Sequence, residues 1–169
     1  IIFRRHRTSH FLLAGIESLA EAGRRLGIEV RTRLLDSSTV TVDADLAQRS
    51  GLPEGASAIA LKRLRSLDGR PAIVDHNMFL AEVVPRVPRE AAESSIYAYL
   101  ENELGVSIVS SSRLATIEPA DEEDLHYLDL GGQNCVGVVE SFSFDSSGVP
   151  FEYTRSHHAA RTFSFISIA

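Results

Sequence analysis

Residue types that define several common classes of protein are scarce in this sequence. Its 169 residues include a single cysteine, Cys135, which excludes a disulfide framework and a multi-cysteine metal site. A reducing compartment, the cytoplasm, is the natural environment for such a chain. No apolar run approaches the roughly 18 residues that a membrane-spanning helix needs. The net charge of −6 argues against this chain itself binding a phosphate backbone.

Patterns that indicate catalysis are also missing. None of the six histidines has the spacing of a zinc site, and the adjacent His157 and His158 would point to opposite faces of a strand. There is no glycine-rich phosphate loop and no Gly-x-Ser-x-Gly turn. Cys135 lies in a predicted strand without an evident base, which favours a small buried residue over a nucleophile. We therefore expect no enzyme activity, no cofactor and no metal.

The composition is that of an ordinary globular domain, with 44% hydrophobic and 24% charged residues. Ile1-Ile2-Phe3 resembles the interior of a longer chain, so we expect a further portion before it. The basic stretch 3–7 is typical of the end of an interdomain linker. Residues 11–27 fit either a short helix closed by Gly27 or a loop, which places the domain proper at 28–169.

Hydrophobic periodicity and turn residues predict a mixture of strands and helices. Most strands are joined by tight turns, so the fold class is α+β, with a mainly antiparallel central sheet and flanking helices. The predicted strands are 28–42, 57–67, 71–80, 106–117, 134–145 and 149–166. The predicted helices are 45–49, ended by Gly51, 96–104, capped by Ser94 or Ser95, and one opened by Pro119.

Two arginines extend an apolar stripe on one strand. Because side chains alternate along a strand, Arg63 and Arg65 share a face with Ile59 and Leu61. A buried guanidinium needs a partner, and a bound anion is one possibility. The alternative is a strand end with both arginines in water.

The Asp68-Gly69 turn after this strand sets the register of the hairpin. A three-residue loop would place Arg63 opposite Asp75, whereas a two-residue loop would put Asp75 on the other face. The sequence leaves both registers open.

Two further segments carry polar groups with alternative roles. Ser94, Ser95 and Tyr97 open a helix, where free backbone N–H groups form either an anion site or a plain cap. In the last strand one face is polar and meets either a pocket or water. Its residues are Glu152, Thr154, Ser156 and His158, and Phe151, Tyr153 and Phe163 take the other face.

An ordered set of short motifs resembles the UTRA domain of GntR-superfamily, HutC-subfamily transcriptional regulators. The resemblance runs from about residue 28 to the end. Its motifs are Arg63-Leu64-Arg65, Asp68-Gly69-x-Pro71, Asp75, Phe79-Leu80, Ser95-Ile96-Tyr97-x-x-Leu100-Glu101, Gly105, Ile117-x-Pro119, Val138-Val139-Glu140, Asp145-x-x-Gly148-x-Pro150-Phe151-Glu152-Tyr153 and Phe163-x-Phe165.

The resemblance implies a chorismate-lyase-like fold that follows a winged helix-turn-helix, which is absent from this chain. It implies a homodimeric bacterial regulator that binds a small effector and contacts operator DNA through the missing domain. Effectors in the family include sugar phosphates, histidine-pathway metabolites, and phosphonate-related and fatty-acid ligands. We expect an anionic metabolite here: a sugar phosphate, a phosphonate-related compound or a carboxylate. The alternatives are a chorismate-lyase-like enzyme and a dimerisation module with a vestigial pocket.

By similarity to the family's sugar-phosphate sensors, seven residues fall at or near effector-contacting positions: Arg63, Arg65, Asp75, Ser95, Tyr97, Glu152 and His158. The arginines, Ser95 and Tyr97 would bind the anionic end. Asp75 and Glu152 would accept hydrogen bonds from hydroxyl or amine groups. His158 stands where relatives often have an aromatic residue, so this part of the pocket departs from the family pattern.

Overall fold

A computed structural model of the chain describes residues 9–12, 23 and 27–166. Its strands are β1 (Ser9–Leu12), β2 (Val30–Thr41), β3 (Ser57–Leu67), β4 (Arg70–Leu80), β5 (Ser110–Pro119), β6 (Cys135–Phe144), β7 (Pro150–Ala159) and β8 (Phe163–Ile166). Its helices are α1 (Ala44–Ser50), α2 (Arg89–Glu93), α3 (Ile96–Asn102) and α4 (Glu122–Tyr127), with a 3-10 turn at Ala160–Thr162.

Six strands form one antiparallel sheet in the order β2-β3-β4-β7-β6-β5. The two short strands β1 and β8 pair in parallel as a separate sheet, with Ser9 opposite Phe163. The predicted α+β class with a mainly antiparallel sheet is confirmed. The predicted helix or loop at 11–27 falls mostly outside the described residues, although 9–12 already form β1.

The β3–β4 hairpin combines a two-residue turn with a bulge. Asp68 and Gly69 have φ angles of 48° and 79°, which a type I′ turn requires. Leu67 pairs with Arg70, but the register shifts after Arg65, which leaves one extra residue in β4. Our expectation that a two-residue loop puts Asp75 on the opposite face from Arg63 is therefore wrong, because the bulge restores the pairing of Arg63 with Asp75.

Capping residues explain where the helices begin. The side chain of Asp43 accepts a hydrogen bond from the backbone N–H of Leu46, and Gly51 ends α1 with a φ of 71°. Ser95 caps α3, and Asp121 forms a capping box with Asp124 at the start of α4.

Several predicted boundaries were wrong. Pro119 ends β5 instead of opening a helix, and β5 begins at 110, four residues later than predicted. Helix α2 was not predicted; it is only five residues long and has no side-chain cap. The predicted last strand is broken by the 3-10 turn, and α3 ends at Asn102. Cys135 is partly exposed at the start of β6, not buried.

The sheet has two covered faces. Helices α2 and α3 contribute Ala92, Ile96 and Leu100 to the larger hydrophobic cluster, which includes Ile59 and Phe79 of the sheet. A smaller cluster on the other side holds Leu64, Val74, Leu128, Leu130, Val136, Val138 and Ala159. None of the described helices is long and apolar enough to cross a membrane.

Candidate functional site

The strand register gathers charged residues on the face of the sheet that α2 covers. Arg63 of β3, Asp75 of β4 and Ser156 of β7 lie in one row across the sheet. Arg63 is only 5% exposed and Asp75 only 3% exposed. The alternative of a strand end with both arginines in water is therefore wrong for Arg63. The side chain of Arg65 is 17% exposed and remains partly accessible.

Asp75 holds both arginines. Its Oδ2 accepts from Arg63 Nη2 at 3.2 Å and lies 2.5 Å from Arg65 Nε. Its Oδ1 accepts from Ser156 Oγ at 2.6 Å. Burial would raise the pKa of Asp75, but Arg65 and Arg63 outweigh it and hold the pKa below its usual value. The carboxylate is therefore charged at neutral pH.

Each of the three side-chain nitrogens of Arg63 donates a hydrogen bond to a neighbour. Its Nε donates to Asn77 Oδ1 at 2.8 Å and its Nη1 donates to the carbonyl oxygen of Ala92 in α2 at 3.2 Å. Burial and the nearby Arg65 lower the pKa of Arg63 to about 10, which still leaves it protonated at neutral pH. Arg63 thus ties α2 to the sheet and contributes charge to the site.

Arg65 is the arginine of this cluster that a ligand can reach. Beyond its contact with Asp75, no acceptor among the described residues bonds to the Nη1 or Nη2 atom of Arg65. Two guanidinium charges share one carboxylate, so the cluster of Arg63, Arg65 and Asp75 carries a local charge of +1. A partly exposed planar guanidinium with unused donors suits a carboxylate or a phosphate.

A chain of hydrogen bonds leads from Arg63 along the same face. Asn77 Nδ2 donates to Thr154 Oγ1 at 2.8 Å, and Thr154 Oγ1 donates to Glu152 Oε1 at 3.2 Å. Burial raises the pKa of Glu152 despite its hydrogen-bonding neighbours. On the polar face of β7, Glu152, Thr154 and His158 are buried, at 3%, 9% and 6% exposure, and Ser156 is half-buried, so most of this face does not meet water.

His158 lies in the next row, paired with Ile73 of β4. Burial lowers the pKa of His158 to about 4, with Asp75 acting in the opposite direction, so the imidazole is neutral at neutral pH. Its ring centroid is 5.1 Å from that of Phe163. The 3-10 turn thus brings Phe163 against His158, not onto the opposite face with Phe151 and Tyr153 as predicted.

Ser95 and Tyr97 come from α3. Ser95 Oγ accepts from the backbone N–H of Ala98 at 3.2 Å, so it caps the helix. The Tyr97 phenol lies near Glu152, and burial together with this carboxylate raises the pKa of Tyr97. The structure therefore clusters Arg63, Arg65 and Asp75 directly and puts Tyr97 beside Glu152, while the Ser95 hydroxyl serves the cap.

Sequence reasoning missed Asn77 as the link between Arg63 and Thr154, and it missed Ser143 beside Tyr97. The segment Asp75-His76-Asn77 stood out in the sequence, and strand alternation puts Asp75 and Asn77 on one face. Their partners could not be named without the strand order.

A second polar cluster on the opposite face attaches α4. Glu123 bonds to Lys62 and lies 2.5 Å from His76 Nε2, and His157 Nδ1 lies 2.9 Å from Asp124 Oδ1. Ligand atoms of Asp121, Asp124 and His157 lie within 4.8 Å of one another. Because the two aspartates form the capping box and His157 completes it, this grouping has a structural explanation without a metal.

Comparison with known proteins identifies the kind of domain. A sequence model of the family described as "UTRA domain" matches residues 25–164. The transcriptional regulator TreR of Bacillus subtilis is 32% identical over 163 residues, which cover 94% of this chain and 67% of that protein. Another Bacillus subtilis regulator, GmuR, is 21% identical over 83% of this chain and 59% of its own length. The chain thus spans about two thirds of these relatives or less.

Solved structures share the fold. The effector-binding domain of the Bacillus subtilis trehalose repressor has a TM-score of 0.74 at 29% identity, covering 82% of this chain and 96% of that one. The effector domain of PhnF from Mycobacterium smegmatis has a TM-score of 0.78 at 21% identity, covering 92% and 96%. The fold is that of these effector-binding domains. The chain belongs to the UTRA family, the effector-binding domains of GntR-family transcriptional regulators.

Proposed function

We propose that this domain binds a small anionic metabolite through Arg65 and thereby controls operator binding by a full-length regulator. The observation that carries the proposal is the pair of arginines on one buried carboxylate, which leaves a net positive charge and unused donors on Arg65. Asp75 holds Arg65 in place, and Arg63 adds a second positive charge to the site. Preorganised donors of this kind reduce the ordering cost of binding.

The remaining predicted contacts would complete the site around this anion. The resemblance implied that Tyr97 binds the anionic end, but because Tyr97 lies beside Glu152 we assign both side chains to the uncharged part of the ligand. His158, in the strand row of Arg65, would line the anionic end, and the α3 terminus at Ser95 would close the site. The candidate effectors are sugar phosphates, phosphonate-related compounds and carboxylates. The relative named as a trehalose repressor supports the inclusion of sugar derivatives.

Signal transmission would use the connection between the site and the N-terminal end of the chain. His158 contacts Phe163, and Phe163 is the first residue of β8, opposite Ser9 of β1. Residues 1–27 would be the linker end and lead-in, and a winged helix-turn-helix would precede them. A ligand that favours one arrangement of a homodimer would change the spacing of the two DNA-binding domains. A coupling of about 1–3 kcal/mol is sufficient for such a switch.

We place this cytoplasmic regulator among binding proteins and not among enzymes. The relatives that match over most of this chain are transcriptional regulators. A chorismate-lyase-like activity would be detected directly as formation of 4-hydroxybenzoate from chorismate, and we expect none.

The test is a thermal-shift screen against phosphorylated sugars, phosphonates, amino acids and imidazole-pathway metabolites, with inorganic phosphate included. A ligand at 100 times its Kd stabilises the folded state by about 2.7 kcal/mol, which is a rise in Tm of about 5–10 °C. Arg65→Ala should abolish the rise.

The matched control is Arg31→Ala, since Arg31 is an exposed arginine on β2 that forms an ion pair with Glu29, away from the site. It should respond to ligand like the wild type. If no compound stabilises the wild type at millimolar concentration, or if Arg65→Ala responds fully, the proposed anion site is wrong. The first result would favour a dimerisation module with a vestigial pocket.

A further inference from the structure

The two edge strands of the six-stranded sheet differ in their protection against pairing with another chain. One edge is β2, whose exposed residues include the charged Arg31, Arg33 and Asp36. The register of β2 against β3 also shifts between Leu34 and Asp36, which marks a bulge. Charged side chains and bulges are devices that prevent an edge strand from accepting a further strand. The β2 edge is therefore protected.

The other edge strand, β5, is regular and exposes apolar side chains. Its 10 residues pair with β6 without a register shift. Among the described residues, three of the five exposed large hydrophobic side chains lie on β5 or just before it: Val109, Leu114 and Ile117. Leu114 is 53% exposed and Ile117 is 64% exposed. A long, regular edge strand with exposed apolar residues is a template for pairing with another chain.

The outer side of β5 also carries backbone hydrogen-bonding groups. A strand that pairs with a neighbour on one side directs alternate N–H and C=O groups to the other side. No described strand lies beyond β5, so these groups face outward at the edge of the sheet. A further strand would bond to them and cover part of Leu114 and Ile117. The occupant that fits this edge is thus an extended strand.

The charge and length of β5 favour a second copy of the same strand. The chain has a net charge of −6, but β5 holds one cation, Arg113, and one anion, Glu118, so two copies of this edge do not repel each other. In an antiparallel pair with a two-fold axis through Leu114, every residue from Ser110 to Glu118 faces the other copy. Pro119, which has no N–H to donate, stays outside the paired stretch.

The cross-strand neighbours in this register are compatible. Leu114 faces its own copy, and Arg113 faces Ala115, so like charges do not oppose each other. An axis through Arg113 would set two arginines against each other, and an axis further along the strand would bring Pro119 into the ladder. Of the registers that avoid both conflicts, the one centred on Leu114 pairs the longest stretch.

We propose that two copies of this domain associate by antiparallel pairing of their β5 strands, with Leu114 at the two-fold axis, so that the two sheets become one. The inference rests on the proposed function, because it names the surface through which the homodimer of that proposal forms. The interface is separate from the anion site, since β6, β7 and β4 lie between β5 and the strand that carries Arg65.

Sedimentation of the purified 169-residue chain measures the dimer dissociation constant. The wild type should be a dimer at micromolar concentration. Leu114→Lys should weaken the dimer at least about 10-fold, because two like charges would face each other across the axis. Ile117→Lys should weaken it less, because Ile117 faces Ser111 in this register and not its own copy.

The matched control is Leu125→Lys. Leu125 is 65% exposed on α4, and its substitution makes the same change of charge and apolar area away from β5. It should leave the dimer dissociation constant unchanged. All three lysine variants replace exposed side chains, so each should keep the wild-type circular dichroism spectrum, which separates lost pairing from lost folding.

Cysteine cross-linking tests the register. In a Cys135→Ser background, Leu114→Cys should give an intermolecular disulfide on mild oxidation, because the two facing Cβ atoms would be about 4.5–5.5 Å apart. Ser112→Cys should not cross-link, because Ser112 would face Thr116 and lie about 13 Å along the ladder from its own copy. Equal cross-linking of both variants would overturn the register.

The outcomes separate this interface from the anion site. A wild-type chain that stays monomeric at submillimolar concentration, or a dimer that Leu114→Lys and Leu125→Lys weaken equally, overturns the β5 interface. If inorganic phosphate still binds in those cases and Arg65→Ala abolishes its binding, the anion site stands alone. Pairing through β5 without binding of any screened anion would support the interface and overturn the anion site.

Discussion

The most informative perturbation is Asp75→Asn, because a single carboxylate holds both arginines of the site. The substitution keeps the shape of the side chain and removes its charge. The amide that replaces the carboxylate could still bond to Ser156 and to one guanidinium. Arg63, which is 5% exposed, would then be a buried cation without a charged partner in contact.

The expected loss of stability follows from leaving the buried Arg63 charge without its carboxylate partner. Removing one partner of a buried ion pair costs about 3–5 kcal/mol, because the other charge is left uncompensated. Arg65 is partly exposed and can be hydrated, and Arg63 keeps its bonds to Asn77 and Ala92. We therefore expect the low end, about 3 kcal/mol, which corresponds to a Tm lower by about 6–12 °C.

Urea denaturation of the wild type and the variant at pH 7 measures the difference. Since the pKa of folded Asp75 lies below its usual value, its charge stabilises the fold above the unfolded pKa of about 4 and the stabilisation is lost as the pH falls further. The gap between the two proteins should thus be constant from pH 8 to 5 and narrow below pH 4. Added phosphate should stabilise the variant more than the wild type, because phosphate replaces the missing negative charge.

Asp45→Asn is the comparison variant. Asp45 forms an exposed ion pair with Arg49, and its loss should cost less than about 1 kcal/mol. A cost for Asp75→Asn no larger than that of this control would refute the idea that Asp75 compensates the arginines, and with it the source of the local positive charge.

Further predictions concern other parts of the domain. Since His158 has a folded pKa of about 4 and an unfolded value near 6.5, the wild type should lose about 3 kcal/mol of stability as the pH falls between them. His158→Phe should remove that slope in pH-dependent denaturation, and an unchanged slope would rule out His158 as its cause. In Gly137→Ala the new Cβ would lie 2.3 Å from the ring of Phe163. We expect overpacking to lower the free energy of unfolding by about 1–3 kcal/mol and, in the full-length regulator, to weaken the effect of ligand on operator binding. Equal stability would show that Phe163 can move aside. Burial would raise the pKa of Glu123, but its neighbours, chiefly Lys62, lower the pKa overall. Glu123→Gln should therefore destabilise the domain above about pH 5 and make little difference near pH 3. A loss of stability that persisted at pH 3 would point to packing instead.

Local chemistry was sufficient to predict many elements of the fold. Asp68-Gly69 predicts its turn because few residues tolerate a positive φ, and Gly51 ends α1 for the same reason. Helix α2 was missed because it has five residues and no capping side chain. Its place is set by tertiary contacts such as the bond from Arg63 to Ala92.

The candidate site also combines features that local sequence predicts with features that depend on tertiary contacts. Strand alternation placed Arg63 and Arg65 on one face, and the ordered motifs indicated the UTRA family, because both depend on residues close in sequence. The pairing of Arg63 with Asp75 depended on a bulge that no turn rule predicts. Ser111 lies opposite Ser143, and Ser143 opposite Glu152, only because β6 pairs with both β5 and β7. The sequence by itself determined the local elements and the family, whereas burial, register and the sharing of one carboxylate by two arginines were decided by long-range packing, since these properties exist only once the strands are assembled.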